Sequence, residues 1–114
     1  MKKVEYNPLS VSLILPTFNE AKNIKSLLVS LISIEGILIN EILVIDDDSS
    51  DGTSEIVRKL SREDRRIRLI SRIGRSGLAS AIKEGLMNSS SDISLVMDSD
   101  GQHDPKTVSK AVRY

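Results

Sequence analysis

The stretch LVMDSDGQHD, residues 95 to 104, places Asp98, Asp100 and Asp104 within seven positions, with Gln102 and His103 between them. Carboxylates this close repel one another and are costly to desolvate unless a cation sits among them. At the end of a strand, side chains two apart point the same way, so Asp98 and Asp100 can share one target while Ser99 turns aside. With the amide oxygen of Gln102 they form a hard-oxygen set suited to Mg²⁺ or Mn²⁺. Such ions are commonly held by one or two carboxylates plus substrate phosphates. An incomplete protein shell of this kind points to a diphosphate as the remaining ligand. The plain alternative is an acidic loop in which Asp104 caps a helix. His103, the only histidine in the chain, reads more readily as loop packing than as a metal ligand.

Two further clusters carry chemistry. VIDDDSSDGT, residues 44 to 53, crowds four carboxylates beside a glycine. Asp46 or Asp47 there could accept a hydrogen bond from the imide N–H of a nucleobase, which favours uracil or guanine over cytosine or adenine. The alternative is turn chemistry, in which Asp, Ser and Gly are ordinary and Asp51 or Thr53 caps the next helix. PTFNE, residues 16 to 20, offers Phe18 as a flat surface for a base with Glu20 nearby, against simple core packing of the ring. Phe18 is the only phenylalanine. RIGRSGLASAIKEG, residues 72 to 85, supplies Arg72 and Arg75, which could approach phosphates or stand solvated. Gly77, Ala81 and Gly85 read as small residues for close helix packing. No phosphate-binding G-x-x-x-x-G-K-[ST] loop occurs.

These clusters need elements to position them, and apolar periodicity supplies a regular alternation of strand and helix. VSLIL (11–15) predicts a strand stopped by Pro16, and Asn19 a helix cap. Ile24, Leu27, Leu28, Leu31 and Ile32 then form one apolar stripe. EILVID (41–46), IRLIS (67–71) and ISLVMD (93–98) predict three more strands. Ile56, Val57 and Leu60 mark a second helix, and Leu78, Ile82 and Leu86 a third. Asp104-Pro105 predicts the opening of a last helix. NSSSD (88–92) is a loop. Strands apolar on both faces, each followed by a helix, imply a doubly wound α/β unit: a mainly parallel four-stranded sheet in the order 3-2-1-4, with helices on both faces. The three polar clusters then meet at the carboxyl ends of neighbouring strands.

The whole chain bounds the possibilities. Its 114 residues make a single domain, 1–114, and 16 basic residues balance 16 acidic ones. No global field therefore favours nucleic acid or an anionic membrane. The absence of cysteine excludes disulfides and thiol catalysis and fits a reducing compartment. No apolar run approaches the roughly 18 residues of a membrane span, and Met1-Lys2-Lys3 is not followed by a signal-peptide core.

Taken together, VSLILPTFNEAKNI, EILVIDDDSSDGT, SGLASAIKEG and LVMDSDGQHDP resemble the family 2 glycosyltransferases of Rossmann-like GT-A fold, and among them the polyprenol-phosphate (dolichol-phosphate) mannosyltransferases. The resemblance runs from residue 11 to about 112, in four ordered blocks. It implies a nucleotide pocket lined by Pro16, Phe18, Glu20, Ile45 and Asp47, with Asp47 facing the base. It implies that Asp98, Ser99 and Asp100 contact the nucleotide sugar, and that Asp98, Asp100 and Gln102 hold Mg²⁺ or Mn²⁺. It identifies no catalytic base within the chain. The reaction implied is inverting, metal-dependent transfer of a hexose, mannose or glucose, from a GDP- or UDP-sugar to an acceptor such as polyprenyl phosphate. Such an acceptor implies a cytoplasmic protein working at the cytoplasmic membrane face.

Three residues depart from the family pattern: Phe18 stands where tyrosine is usual, Asp48 where glycine is usual, and Ser99 where alanine is usual. Family members also continue beyond this length into an acceptor-binding half. The expectation is therefore a nucleotide-sugar-binding half-domain, with an exposed face that favours dimerisation. Two alternatives stand beside the enzyme: non-catalytic binding of a nucleotide sugar, and a signalling receiver domain. The receiver fits poorly, because a complete strand and helix precede the acidic pair and no later strand supplies its lysine.

Overall fold

The computed structural model describes residues 9–99; the helix expected at Asp104-Pro105 and the residues Asp100, Gln102 and His103 lie outside them. Seven elements alternate along the chain: β1 (Ser10–Thr17), α1 (Ile24–Ile32), β2 (Leu38–Asp46), α2 (Thr53–Glu63), β3 (Ile67–Ser71), α3 (Leu78–Asn88) and β4 (Ile93–Val96). The four strands form one parallel sheet in the order β3-β2-β1-β4, the doubly wound arrangement expected from the apolar runs.

Strand alternation sorts the core into two layers. Val11, Leu13 and Leu15 of β1 with Ile42 and Val44 of β2 face α1 and α2, meeting Ile24, Leu27, Leu28, Leu31, Val57 and Leu60. Ile14, Leu43 and Ile45 point to the other face and pack with Ala81 of α3. Both faces of the two central strands are thereby dry, which is why they read as continuous apolar runs. Among the described residues no helix is long and apolar enough to cross a membrane.

Four local expectations are corrected. β1 does not stop at Pro16 but runs through it to Thr17. The last backbone bond on the β4 side is Met97 N–H to the Ile14 carbonyl, 2.9 Å, so the proline sits where no ladder donor is needed. Asn19 does not cap α1; the helix starts at Ile24 after Asn23, and Asn19, at φ 50°, turns its side-chain oxygen to the Ser50 amide, 2.9 Å. β2 begins three residues earlier than expected, at Leu38, while β4 closes at Val96. The stripe of α3 is displaced: Leu78 and Leu86 are exposed, and Ala81 and Gly85 make the buried face. A Cβ built on Gly85 would stand 2.4 Å from the Ile14 Cγ2. Helix and sheet therefore approach so closely that only small residues fit between them.

One charged residue lies deep at the amino-terminal end of β2. Glu41 is 3% exposed and accepts from the Ser12 hydroxyl (2.6 Å), the Ser90 amide (2.7 Å) and Arg68 (2.9 Å). Burial pushes its carboxyl up, but these donors together outweigh burial and hold it below the ordinary glutamate value. A depressed pKa contributes stability above the unfolded-state value of about 4.3, lost as pH falls through the folded-state value. Glu41→Gln is accordingly expected to flatten the fall of the urea midpoint below about pH 4.5. A midpoint that falls as steeply in Glu41→Gln as in the parent would assign the acid sensitivity to other groups.

Candidate functional site

Three strand-to-helix loops and the segment after β4 meet at the carboxyl edge of the sheet, and side chains tie them together. The loop after β1 is stitched to the loop after β2. The Asn19 amide donates to the Ser49 hydroxyl (2.8 Å), the Glu20 amide to the Thr53 hydroxyl (3.0 Å) and the Ala21 amide to Asp51 (3.0 Å). Asp51 also accepts from the amide and hydroxyl of Thr53, but neither caps α2 as expected: the N-cap is Gly52, at φ 93° and without a side-chain cap bond. Asp46 accepts from the Ser49 amide and hydroxyl and so closes its own turn. Asp48, at φ 65°, occupies left-handed backbone, which glycine adopts freely and aspartate tolerates. Its carboxylate receives the Gly74 amide at 3.1 Å.

Asp47 is the centre of this edge. It is 5% exposed. Its Oδ1 accepts from Arg72 (2.8 Å) and the Ser76 amide (2.9 Å), and its Oδ2 from the Gly77 amide (2.9 Å). Burial raises its pKa, but the Ser76 and Gly77 amides and the Arg72 guanidinium outweigh burial and hold the group below its ordinary value. Asp47 is therefore an anion at neutral pH. Arg72 is neither solvated nor aimed at open space. Its side chain is 8% exposed and also donates to the Ser80 hydroxyl (2.7 Å), the Gly77 carbonyl (3.0 Å) and Glu84 (3.5 Å). Its Nε is a buried nitrogen without a partner among the described residues.

Above Asp47 lies a pocket walled by Pro16, Thr17 and Phe18 on one side and by Arg75, Gly77, Leu78 and Ala81 on the other. Of the residues expected to surround a nucleotide, the structure brings Pro16, Phe18 and Asp47 together here. Ile45 lies fully buried beneath α3, and Glu20 stands outside this lining. Beyond β4, burial continues to alternate: Met97 is buried, Asp98 exposed and Ser99 buried. The Ser99 hydroxyl donates to the Pro16 carbonyl at 3.0 Å, which fastens the chain after β4 to the pocket wall. Asp98 thus faces outward at the strand end next to the pocket. The described residues hold no cluster of three or more potential metal ligands from His, Cys, Asp and Glu; Asp100 and Gln102 fall outside them.

Sequence reasoning did not foresee Thr17, Gly77, Leu78 and Ala81 as pocket wall. For Arg75 the sequence suggests a phosphate contact or a solvated charge. In the fold its guanidinium carbon stands 4.0 Å from the centroid of the Phe18 ring.

Residues 12–114 match the family described as Glycosyl transferase family 2. The dolichol-phosphate mannosyltransferase of Pyrococcus furiosus is 38% identical over 104 residues, covering 91% of this chain and 29% of that protein. The Saccharomyces cerevisiae protein of the same name is 35% identical over 105 residues, covering 90% and 39%. The chain thus spans well under half the length of these curated relatives. Among solved structures, a mannosyltransferase from Pyrobaculum calidifontis in complex with GDP-Man and Mn²⁺ superposes with a TM-score of 0.78 at 26% identity, covering 96% of this chain and 32% of that one. Glucosyl-3-phosphoglycerate synthase from Mycobacterium tuberculosis, in complex with Mn²⁺, UDP and its product, gives 0.71 at 27% identity, covering 89% and 37%.

Proposed function

Because the chain belongs to glycosyl transferase family 2, we propose that it forms the donor-binding part of a metal-dependent hexosyltransferase, with a GDP- or UDP-hexose as its ligand. The observation that carries this reading is the pocket over Asp47, walled by Pro16 and Phe18 and flanked by the exposed Asp98. Phe18 offers its ring to the base. Asp47 is an anion at neutral pH, and its Oδ2 receives a single donor. A carboxylate oxygen has two acceptor positions, so one remains for the imide N–H of uracil or guanine. The names of the relatives favour mannose or glucose as the hexose and polyprenyl phosphate as the acceptor.

Asp98, with Asp100 and Gln102, is the proposed holder of Mg²⁺ or Mn²⁺. The fit rests on the donor chemistry: Asp98 is exposed, and all three side chains offer hard oxygen. When bound, the ion supplies Lewis-acid stabilisation of negative charge on the departing diphosphate. The residues of this chain bind and orient the donor. Arg72 and the Ser76 and Gly77 amides fix the Asp47 carboxylate, and Ser99 holds the strand end against Pro16. A polyprenyl phosphate is already anionic near neutral pH, so inverting attack by its oxygen needs little general-base assistance. That acceptor would bring the full enzyme to the cytoplasmic face of a membrane.

Calorimetric titration with GDP and UDP, with and without Mn²⁺, tests the reading. Parent protein is expected to bind one of them in a Mn²⁺-dependent manner, and Asp98→Ala and Asp100→Ala to weaken that binding at least about tenfold, or roughly 1.4 kcal/mol. Equal, metal-independent binding by all three proteins would reject the assignment.

A further inference from the structure

The ring assigned above to a nucleobase is covered by a side chain of the same protein. The Arg75 guanidinium carbon lies 4.0 Å from the Phe18 centroid, an ordinary van der Waals separation. A flat ligand held between the two would need roughly twice that distance. Base and guanidinium therefore cannot occupy this face of Phe18 together without Arg75 moving.

Arg75 is placed to move as a side chain and not as a loop. Its neighbours on both sides are pinned through their backbone amides: Gly74 to Asp48 at 3.1 Å and Ser76 to Asp47 at 2.9 Å. The Arg75 side chain is exposed, and it takes part in none of the ion pairs among the described residues. Its contact with Phe18 is a cation–π pair at the wall of the pocket. The other arginine of this loop, Arg72, is buried and committed to Asp47, so Arg75 is the loop cation able to change partners.

We propose that Arg75 is a displaceable internal ligand: it fills the stacking position on Phe18 in the free protein and leaves it for the diphosphate oxygens of the incoming nucleotide. The proposal rests on the base-binding reading of Phe18. An exposed cation–π contact is worth about a two- to fivefold factor in an equilibrium. A charge-assisted hydrogen bond from guanidinium to phosphate is worth about tenfold or more. A nucleoside alone must displace Arg75 and gives it nothing in return. A nucleoside diphosphate offers the cation a stronger partner and so uncovers the ring. The device makes Arg75 a specificity residue that favours bases arriving with their phosphates over bare nucleosides.

The consequence is an opposite-signed response, which a merely structural residue does not produce. Uridine, guanosine, UDP and GDP are titrated in Mg²⁺ into parent, Arg75→Ala and Arg75→Lys proteins, with binding followed by NMR chemical shifts. Arg75→Ala is expected to bind the preferred nucleoside about two- to fivefold more tightly and its diphosphate about tenfold more weakly. Arg75→Lys keeps a charge without the planar fork, and is expected to tighten nucleoside binding while holding the diphosphate close to the parent value. In the free parent, the Arg75 side-chain protons should be shifted upfield by the Phe18 ring, and addition of the diphosphate should remove that shift. If the parent binds UDP or GDP but Arg75→Ala changes nucleoside and diphosphate affinity in the same direction, or neither, this proposal alone falls. If the parent binds no nucleotide, the base-binding reading falls and takes this proposal with it.

Discussion

Arg72→Met is expected to lower the unfolding free energy by about 3–5 kcal/mol, the usual consequence of removing one partner from a buried ion pair. Both members are almost wholly enclosed, with side chains 8% and 7% exposed, and they meet at 2.8 Å. The substitution leaves the Asp47 carboxylate with two backbone amides and no counter-charge. It also strips the donors that Arg72 directs to Ser80 and the Gly77 carbonyl. For a domain near 100 residues each kcal/mol moves Tm by about 4–8 °C, so a fall on the order of 15–30 °C is anticipated. Asp47→Leu combined with Arg72→Met removes both charges, and its loss should be well below the sum of the two single losses. Urea and thermal unfolding of the two single variants and the double variant complete the cycle. A loss under about 1 kcal/mol for Arg72→Met would show that the pair behaves like an exposed one. The pH dependence carries a definite sign. Asp47 has a depressed pKa, so its contribution is complete at neutral pH and disappears as acid titrates the folded-state group below its ordinary value.

The second large effect reverses a familiar preference. Glycine to alanine inside a helix ordinarily stabilises by about 1 kcal/mol, yet Gly85→Ala is expected to destabilise by about 1–3 kcal/mol through overpacking. The added methyl would lie 2.4 Å from Ile14 Cγ2, 3.3 Å from Cγ1 and 3.4 Å from Cβ. Ile14 is fully buried in a central strand, and a β-branched side chain has little freedom to turn away. The remaining response is for α3 to lift from the sheet. Ile14→Ala removes the two atoms that clash first, so Gly85→Ala should cost far less in that background than in the parent. Denaturant midpoints of the four proteins decide it, and a stabilised Gly85→Ala would mean that the interface gives way freely. Because α3 and the pocket share Leu78 and Ala81, a lifted helix should also weaken nucleotide binding.

The strands and their order were legible because β1 and β2 are dry on both faces, and runs such as Leu13-Ile14-Leu15 and Leu43-Val44-Ile45 admit few other arrangements. The stripe on α1 was legible for the same reason: Ile24, Leu27, Leu28 and Leu31 are all buried. The face of α3 was misread because hydrophobic size is a poor guide where helix and sheet nearly touch. There the buried positions are Ala81 and Gly85, while Leu78 and Leu86 face outward.

Of the five residues that the resemblance implied for a nucleotide pocket, Pro16, Phe18 and Asp47 line one pocket, while Glu20 and Ile45 lie outside its lining. Sequence could not show how Asp47 is held, because two of its three donors are backbone amides and the third comes from 25 residues away. No residue type advertises a backbone amide. Nor could spacing show that Arg75 lies on Phe18 or that Asn19 joins the second loop, since both contacts arise only once two distant loops have folded together.

Pro16 has a lasting effect on the shape of that edge. A residue without an amide hydrogen cannot offer β4 another rung beyond Ile14, and its carbonyl is met by the Ser99 hydroxyl instead of a ladder partner. The seam between the two strands therefore lacks the rung that an amide at position 16 would donate. A covalent ring withholds that donor independent of solvent, temperature or ligand.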